Sequence, residues 1–439
     1  MRLHPIALLL AVCCALRAGV LSAQQAGSAC VAGGWTTPAD VALPSGRLVY
    51  VEAPFPVRFA GGVMLLGSPT FVWRSATVFA DTGQFVPGGY ISPDTLAGAI
   101  VRSGRDARLV GLPPHTTRML SPRAVARPDG VLDVFWGASA DSAAEMAISL
   151  TDLWHASYGP GGWSEPDHVL DGTSVYWNSG APDVAMIRGR PVAAVPIVRR
   201  KAGLDSTGIA VVRRADSAWR TTLVLTGGSV PTSVAVDTTG DGTVELAFTG
   251  SMGSWGPRSI SNGAFTVRSM DGGATWGPVQ ALMDGGGALV FAMQAASTTD
   301  GVLHLLWGVD STATGGPRWL ARAALANGTA VWRQEPRIPL DRVVYVLQTA
   351  PLGDRVLLVA RTSPAGTLRW SLLTGSPADS LNALRGPVAA SIPRVGAVDG
   401  GRVLLTWGVR RPNSYPLFPA FPAPVLVTSS FASRCDSAP

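Results

Sequence analysis

The stretch "SPRAVARPDGVLDVFWG", residues 121–137, decides the fold: a short apolar run, an Asp-Gly turn, and a second apolar run ending in Trp-Gly. Alternating and β-branched residues on either side of a glycine turn read as a β-hairpin. The same unit returns as "TSVAVDTTGDGTVELAFTG" at 232–250, "MQAASTTDGVLHLLWG" at 293–308 and "IPRVGAVDGGRVLLTWG" at 392–408. Weaker copies occupy 55–67, 181–195 and 347–360. Their turn residues, Gly62, Gly130, Gly189, Gly242, Gly301, Asp354 and Gly400, stand 46 to 68 residues apart. That period suits a four-stranded propeller blade with variable loops. Helical periodicity is nearly absent, and glycine and proline punctuate short strands throughout. The chain is therefore expected to be all-β, a β-propeller of four-stranded blades, with seven blades preferred over six.

The two ends of the chain must be joined if the ring is to close, because blades bury their faces on one another and an open edge is a liability. The last repeat runs out after "APVLVTSSF" at 423–431, one strand short, and "GRLVYVEA" at 46–53 is positioned to supply it. Residues 46–439 are thus read as one propeller domain, with 24–45 leading into the closure. Residues 1–23 read as a secretory signal peptide: Arg2, an apolar run from Ile6 to Leu16, and small residues at Leu21-Ser22-Ala23. Cleavage there removes Cys13 and Cys14 and leaves only Cys30 and Cys435, which an oxidising compartment is expected to pair beside the closure. The expected setting is periplasmic or extracellular, as a monomer.

The formal net charge is +6, yet Lys201 is the only lysine and the basic residues are scattered. No stripe of charge tracks a phosphate backbone, so nucleic acid is excluded as a partner. No long apolar segment follows residue 23, so no transmembrane span is expected in the mature chain. His4, His115, His155, His168 and His304 are dispersed, and neither a zinc motif, a nucleophile elbow nor a phosphate loop is present.

A tight acidic knot, "SMDGGATW" at 269–276, carries the family signal. Ser269, Asp271, Gly273 and Trp276 fit the spacing S-x-D-x-G-x-x-W, which resembles the Asp box, or bacterial neuraminidase repeat, of the sialidase-like propellers. Within that family the box is a structural turn between the third and fourth strands of a blade. The chemistry suits such a turn: an aspartate accepts backbone N–H bonds, glycines allow positive φ, and a tryptophan packs over the edge. Eroded relatives are "SYGPGGWSEP" at 157–166, "ADSAWR" at 215–220, "NGTAVWR" at 327–333 and "GTLRW" at 366–370.

Sialidases of that superfamily hold the substrate carboxylate with three arginines and use a tyrosine–glutamate pair and an aspartate. Here Arg123 and Arg394 lie on innermost strands, but in the order Pro-Arg and outside the first repeat. None of the five glutamates, Glu52, Glu145, Glu165, Glu245 and Glu335, is placed to partner a tyrosine. The resemblance therefore implies the fold more than the hydrolysis. Aligning the seven inner strands brings Pro56, Arg123, Asp183, Ser233, Gln294, Gln348 and Arg394 to one level, six of them polar in an apolar context. Such a ring either binds a carbohydrate or another small anionic ligand through its arginines, or lines a water-filled channel. Binding is the preferred function, an exo-acting glycoside hydrolase of the sialidase class or a structural envelope propeller the alternatives.

No cofactor is required by this reading. One stretch, "DTTGDGTVEL" at 237–246, resembles the calcium loop of FG-GAP propeller repeats, which implies Asp237, Thr239, Asp241 and Glu245 as side-chain donors and Thr243 as a carbonyl donor. An ordinary Asp-Gly hairpin explains the same residues and is the favoured of the two, because the other repeats use plain turns at this point.

Overall fold

The computed structural model describes residues 30–432, with internal gaps of which the longest are 79–84, 87–95, 139–148, 253–260 and 410–415. Among the described residues every regular element is a strand, and no helix is long and apolar enough to cross a membrane. Six successive blades are each built on four antiparallel strands from innermost to outermost; the second sheet also carries Gly162–Trp163, and the third Ser149–Leu150 and Val175–Asn178. The first blade is Phe55–Phe59, Gly62–Leu66, Leu96–Arg102 and Asp106–Gly111. The second is Leu120–Ala126, Leu132–Ala138, Asp152–Gly159 and Asp167–Leu170. The third is Asp183–Ile187, Arg190–Lys201, Leu204–Ala215 and Ala218–Leu225. The fourth is Val230–Thr238, Val244–Met252, Ser261–Ser269 and Gln280–Asp284. The fifth is Leu289–Ser297, Leu303–Asp310, Arg318–Leu325 and Arg333–Leu340. The sixth is Val344–Leu352, Arg355–Thr362, Thr367–Leu373 and Asn382–Ala383.

The preference for seven blades is corrected to six of this consecutive kind. The hairpin of the last repeat, Arg394–Asp399 and Arg402–Val409, belongs instead to a composite nine-stranded sheet built from both ends of the chain. The reason is the missing strand: Val425–Ala432 completes only three, and its free edge takes up N-terminal segments. Arg394–Asp399 packs against Phe55–Phe59, so the innermost strands run from the first blade round to the composite sheet and back.

The closing strand is also not the one expected. Trp35 pairs with Phe431, Ala39 with Thr428 and Asp40 with Val427, whereas Gly46–Val49 pairs mainly with Phe71–Trp73 and touches the C-terminal strand only at Val49–Val425. Thr36 adds side-chain stitching, its Oγ1 accepting the Ser430 N–H at 2.9 Å while its carbonyl accepts the Ser429 hydroxyl at 2.7 Å. Trp35 is buried edge-on against Phe431, with ring centroids 5.2 Å apart, and against Trp370 at 6.1 Å. The tryptophan makes the N-terminal segment the better closure, because its large apolar surface is covered by the sixth blade. Cys30 lies on the short strand Cys30–Val31, but Cys435 and the signal peptide at 1–23 lie outside the described residues, and so does their pairing.

The recurrent Trp-Gly ending now has a packing cause. Trp136, Trp307 and Trp407 are buried on the second strands of their sheets, each within a core shared with the preceding blade. The glycine that follows makes room on the opposite face: a Cβ on Gly308 would come within 2.4 Å of the Phe291 ring. Closer still is the meeting of ring ends, where a Cβ on Gly396 would lie 1.9 Å from the Pro56 carbonyl oxygen. Only glycine lets these two innermost strands touch.

Candidate functional site

Each expected ring residue lies on the innermost strand of its sheet, but the residues stand at different heights: Asp183 meets the backbone of Val236 rather than Ser233, and Pro56 meets Gly396 rather than Arg394. Across the first hairpin of each sheet, Pro56 pairs with Leu65, Arg123 with Phe135, Asp183 with Ala194 and Ser233 with Thr249. Gln294 likewise pairs with Leu306, Gln348 with Val359 and Arg394 with Thr406. A bulge precedes or abuts the ring residue in four of these strands, between Leu120 and Arg123, Pro231 and Ser233, Phe291 and Gln294, and Val344 and Val346. Ser121 and Ala292 take positive φ, 47° and 56°, within two of them. Such bulges re-aim the side chain that follows.

The ring residues divide into two sorts by what they touch. Asp183 accepts the Val236 N–H at 2.8 Å, and the Ser233 hydroxyl accepts the Met293 N–H at 2.8 Å while lying 2.6 Å from the Thr249 hydroxyl. These two side chains stitch one innermost strand to the next. Asp237, one turn further down, does the same with the Ser297 N–H at 2.9 Å, and Thr406 reaches the Pro54 carbonyl at 2.7 Å across the closure. Gln294, Gln348 and Arg123 fold back instead, donating to the carbonyls of Met293, Leu347 and Pro122 at 2.7, 2.8 and 3.0 Å. Arg123 also stands 5.4 Å over the Phe55 ring.

Electrostatics single out Asp183. Burial pushes its pKa up to about 6, with the nearby Asp237 charge adding to the rise, against the pull of the Val236 N–H and the Arg123 charge. Asp237 is raised for the same first reason, desolvation. The described glutamates are committed elsewhere: Glu245 is buried with Arg268 and accepts the Thr266 hydroxyl at 2.7 Å, Glu335 pairs with Arg333, and Glu165 is exposed near His115. A tyrosine–glutamate pair is thus not assembled at the ring among the described residues.

The acidic knot at 269–276 is tied by its own side chains. Asp271 Oδ1 accepts the N–H groups of Ala274 and Thr275 at 3.0 and 2.8 Å, Oδ2 accepts the Thr275 hydroxyl at 2.6 Å, and the Ser269 hydroxyl accepts the Gly273 N–H at 2.8 Å while donating to Asp271 at 2.8 Å. The Thr275 hydroxyl, followed by the backbone donors, holds the Asp271 carboxyl well below the usual range. Gly272 and Gly273 adopt φ of 73° and 86°. Trp276 packs against the apolar core shared by the third and fourth blades. The turn joins the third and fourth strands of its blade, as do 157–166, 215–220 and 327–333. "GTLRW" does not: Gly366 precedes the third strand of the sixth blade.

The five residues of the calcium-loop resemblance do not form a donor set. Asp237 is occupied by the Thr238 and Ser297 N–H groups and Glu245 by Arg268 and Thr266. Asp241 accepts the Thr239 hydroxyl at 2.6 Å and the Thr243 N–H at 2.9 Å, which draw its pKa down to about 2, and takes the Gly328 N–H of the next blade at 3.2 Å. No three His, Cys, Asp or Glu side chains converge among the described residues. Chelator is therefore expected to leave the thermal midpoint unchanged, checked by calorimetry with and without EDTA; a calcium-dependent rise, as ligand linkage requires of a bound ion, would overturn this.

Two polar clusters escaped the sequence reading. On the second blade Asp133, fully buried, takes both Nε and Nη2 of Arg127 (2.5 and 2.6 Å), His155 Nε2 at 2.8 Å and the Ser157 hydroxyl at 3.1 Å. Between the fifth and sixth blades the buried Arg322 meets Asp379 at 2.5 Å and the carbonyls of Pro336 and Ser376 at 2.8 and 3.2 Å. The signal for the first was an aspartate interrupting the apolar run Leu132–Trp136.

No protein-family model matches this chain, and no curated protein matches it. Solved structures do resemble it in fold. A protein of unknown function from Dyadobacter fermentans superposes with a TM-score of 0.51 at 14% identity, over 72% of this chain and 95% of that one. A PL25 ulvan lyase bound to a glucuronate–rhamnose sulfate ligand gives 0.47 at 11%, over 85% and 92%. The intramolecular trans-sialidase of Ruminococcus gnavus gives 0.47 at 12%, over 72% and 95%. At these identities the likeness is one of fold.

Proposed function

We propose that the protein is an exported propeller that recognises an anionic glycan, or another small anionic ligand, at the end of its channel marked by the inner ring. The observation that carries this is the ring's asymmetry. Arg394 and Arg123 come from the two strands that flank Phe55–Phe59, whose own ring residue is the apolar Pro56. The opposite arc holds Ser233, Gln294 and Gln348. One arc offers cations, the other the amide groups of Gln294 and Gln348, which suits a ligand with a carboxylate or sulfate on one side and sugar hydroxyls on the other. The signal-like residues 1–23 support export, and the hydrogen-bonded turn at 269–276 supports the Asp-box reading of the blades. Calcium is no part of this proposal.

Acidic oligosaccharides on a glycan array are expected to retain the purified protein, and Arg123→Ala or Arg394→Ala to weaken that binding by about 10- to 100-fold, the range for a hydrogen bond to a charged group. Protonating Asp183 below pH about 6 removes a negative charge from the ring, so affinity for an anion is expected to rise from pH 7 to pH 5. Binding unaffected by both arginine variants would sink the proposal. Turnover of a fluorogenic sialoside, lost in both, would convert the reading into that of a glycosidase.

A further inference from the structure

A second site lies at the opposite ends of the innermost strands, where the hairpin turns cluster. Around most of that face neighbouring blades touch. Arg188 of the third blade donates to the Met270 carbonyl of the fourth at 3.3 Å, and Gly240 N–H reaches the Gly301 carbonyl of the fifth at 3.1 Å. The Thr299 N–H in turn reaches the Gly353 carbonyl of the sixth at 2.9 Å. Between the second and third blades the outermost strands touch, Trp219 Nε1 donating to Asp167 Oδ2 at 3.0 Å, and nearer the axis a cleft of about 480 Å³ opens, bounded by the turns at 127–130, 188–190 and 214–216. That volume is in the range of small-ligand sites, roughly 300–1,000 Å³.

The lining is chemically specific. Arg127 forms one wall and is held rigidly by two hydrogen bonds to the buried Asp133, which also neutralises it. The remaining charges, Arg190 and Arg214 against Asp129 and Asp216, balance. Arg190 itself donates to the Arg214 carbonyl at 3.4 Å, so the two guanidinium stems are neighbours. Asp216 is presented from a strained turn, with φ of 54°. Pro128 and Pro191 add flat apolar surface. A cleft without net charge has no pull on a polyanion. Planar groups that donate in pairs, beside carboxylates that accept in pairs, match vicinal hydroxyls, while the prolines meet the C–H face of a ring.

We infer that this cleft binds a neutral, hydroxyl-rich sugar, a short uncharged oligosaccharide, independently of the anionic ligand proposed for the channel ring. The test is a glycan array of neutral and uronic oligosaccharides probed with the full mature chain and with Arg190→Ala, Asp216→Asn, which keeps a residue tolerant of positive φ, and Arg123→Ala. Thermal midpoints confirm that each variant folds. The expected result is retention on neutral sugars, lost at least tenfold in Arg190→Ala and Asp216→Asn and unchanged in Arg123→Ala. No retention on any neutral sugar, or retention indifferent to both cleft variants, would overturn it. Binding of uronic sugars alone, lost only in Arg123→Ala, would overturn it too while leaving the channel reading intact; neutral binding with no uronic binding would do the reverse.

Discussion

Trp35→Ala is expected to lower unfolding free energy by about 3–5 kcal/mol, the usual cost of deleting a buried tryptophan, measured as the shift of the guanidinium midpoint. Trp35 is 2% exposed and is the residue through which the N-terminal segment enters the core beneath Phe431, Leu405 and Trp407. Its loss removes transfer energy and leaves a cavity at the junction of the two chain ends. The nearby backbone bonds, Val41 N–H to the Leu426 carbonyl at 3.1 Å and Ala432 N–H to the Gly34 carbonyl at 3.2 Å, then have little apolar cover. A cost below about 1 kcal/mol, typical of a surface position, would mean that the closure lies elsewhere.

The second large effect is expected at Arg322 and Asp379. Their side chains are 1% and 6% exposed, and every arm of the guanidinium has a partner. Removing one member strands a buried charge, at about 3–5 kcal/mol, whereas replacing both with apolar residues of similar size costs far less. Arg322→Met and Asp379→Leu should each destabilise strongly, and the double variant should recover most of the loss. Burial alone would raise the Asp379 carboxyl, but the bonds from Arg322 and Thr374 outweigh it and leave the group below its ordinary 3.8. A depressed folded value means that the contribution is complete above the unfolded value and disappears as pH falls through the folded one. In Asp379→Leu that acid-side slope, below about pH 4, should flatten. Additive single losses would overturn the pairing.

The inner hairpins were legible because their signal is local: a turn glycine and a period of two, repeated. The innermost strands that carry Arg123, Ser233 and Gln348 followed from it, since register within a hairpin is fixed by its turn, whereas the heights of these residues relative to one another are set by packing between blades. What could not be read was how the ends share a sheet. "GRLVYVEA" has the better strand pattern, yet Trp35, flanked by Gly34 and the Thr36-Thr37-Pro38 run, forms the closure, because burial against a blade more than 300 residues away outweighs local propensity. The sixth-blade turn was misread for a related reason. Tryptophan drew attention to 366–370, while the turn between the third and fourth strands is held by Asp379, whose partner Arg322 lies in another blade. Around the calcium-loop resemblance, Asp237 bonds to the next blade and Glu245 to the neighbouring strand, and a linear motif carries no record of such sideways use.

The pairing of Trp35 with Phe431 has a consequence for how the chain is made. At about 5–20 residues per second, the C-terminal strand emerges roughly 20–80 s after the segment it must capture. For all that time the segment around Trp35 lacks its C-terminal partner, and the six blades assemble as an open arc with apolar residues showing at both ends. The earliest part of the sequence is thus the last to be folded. A chaperone or an export factor that bound the segment around Trp35 would hold the whole ring open from a single point, and releasing it would allow the ring to shut.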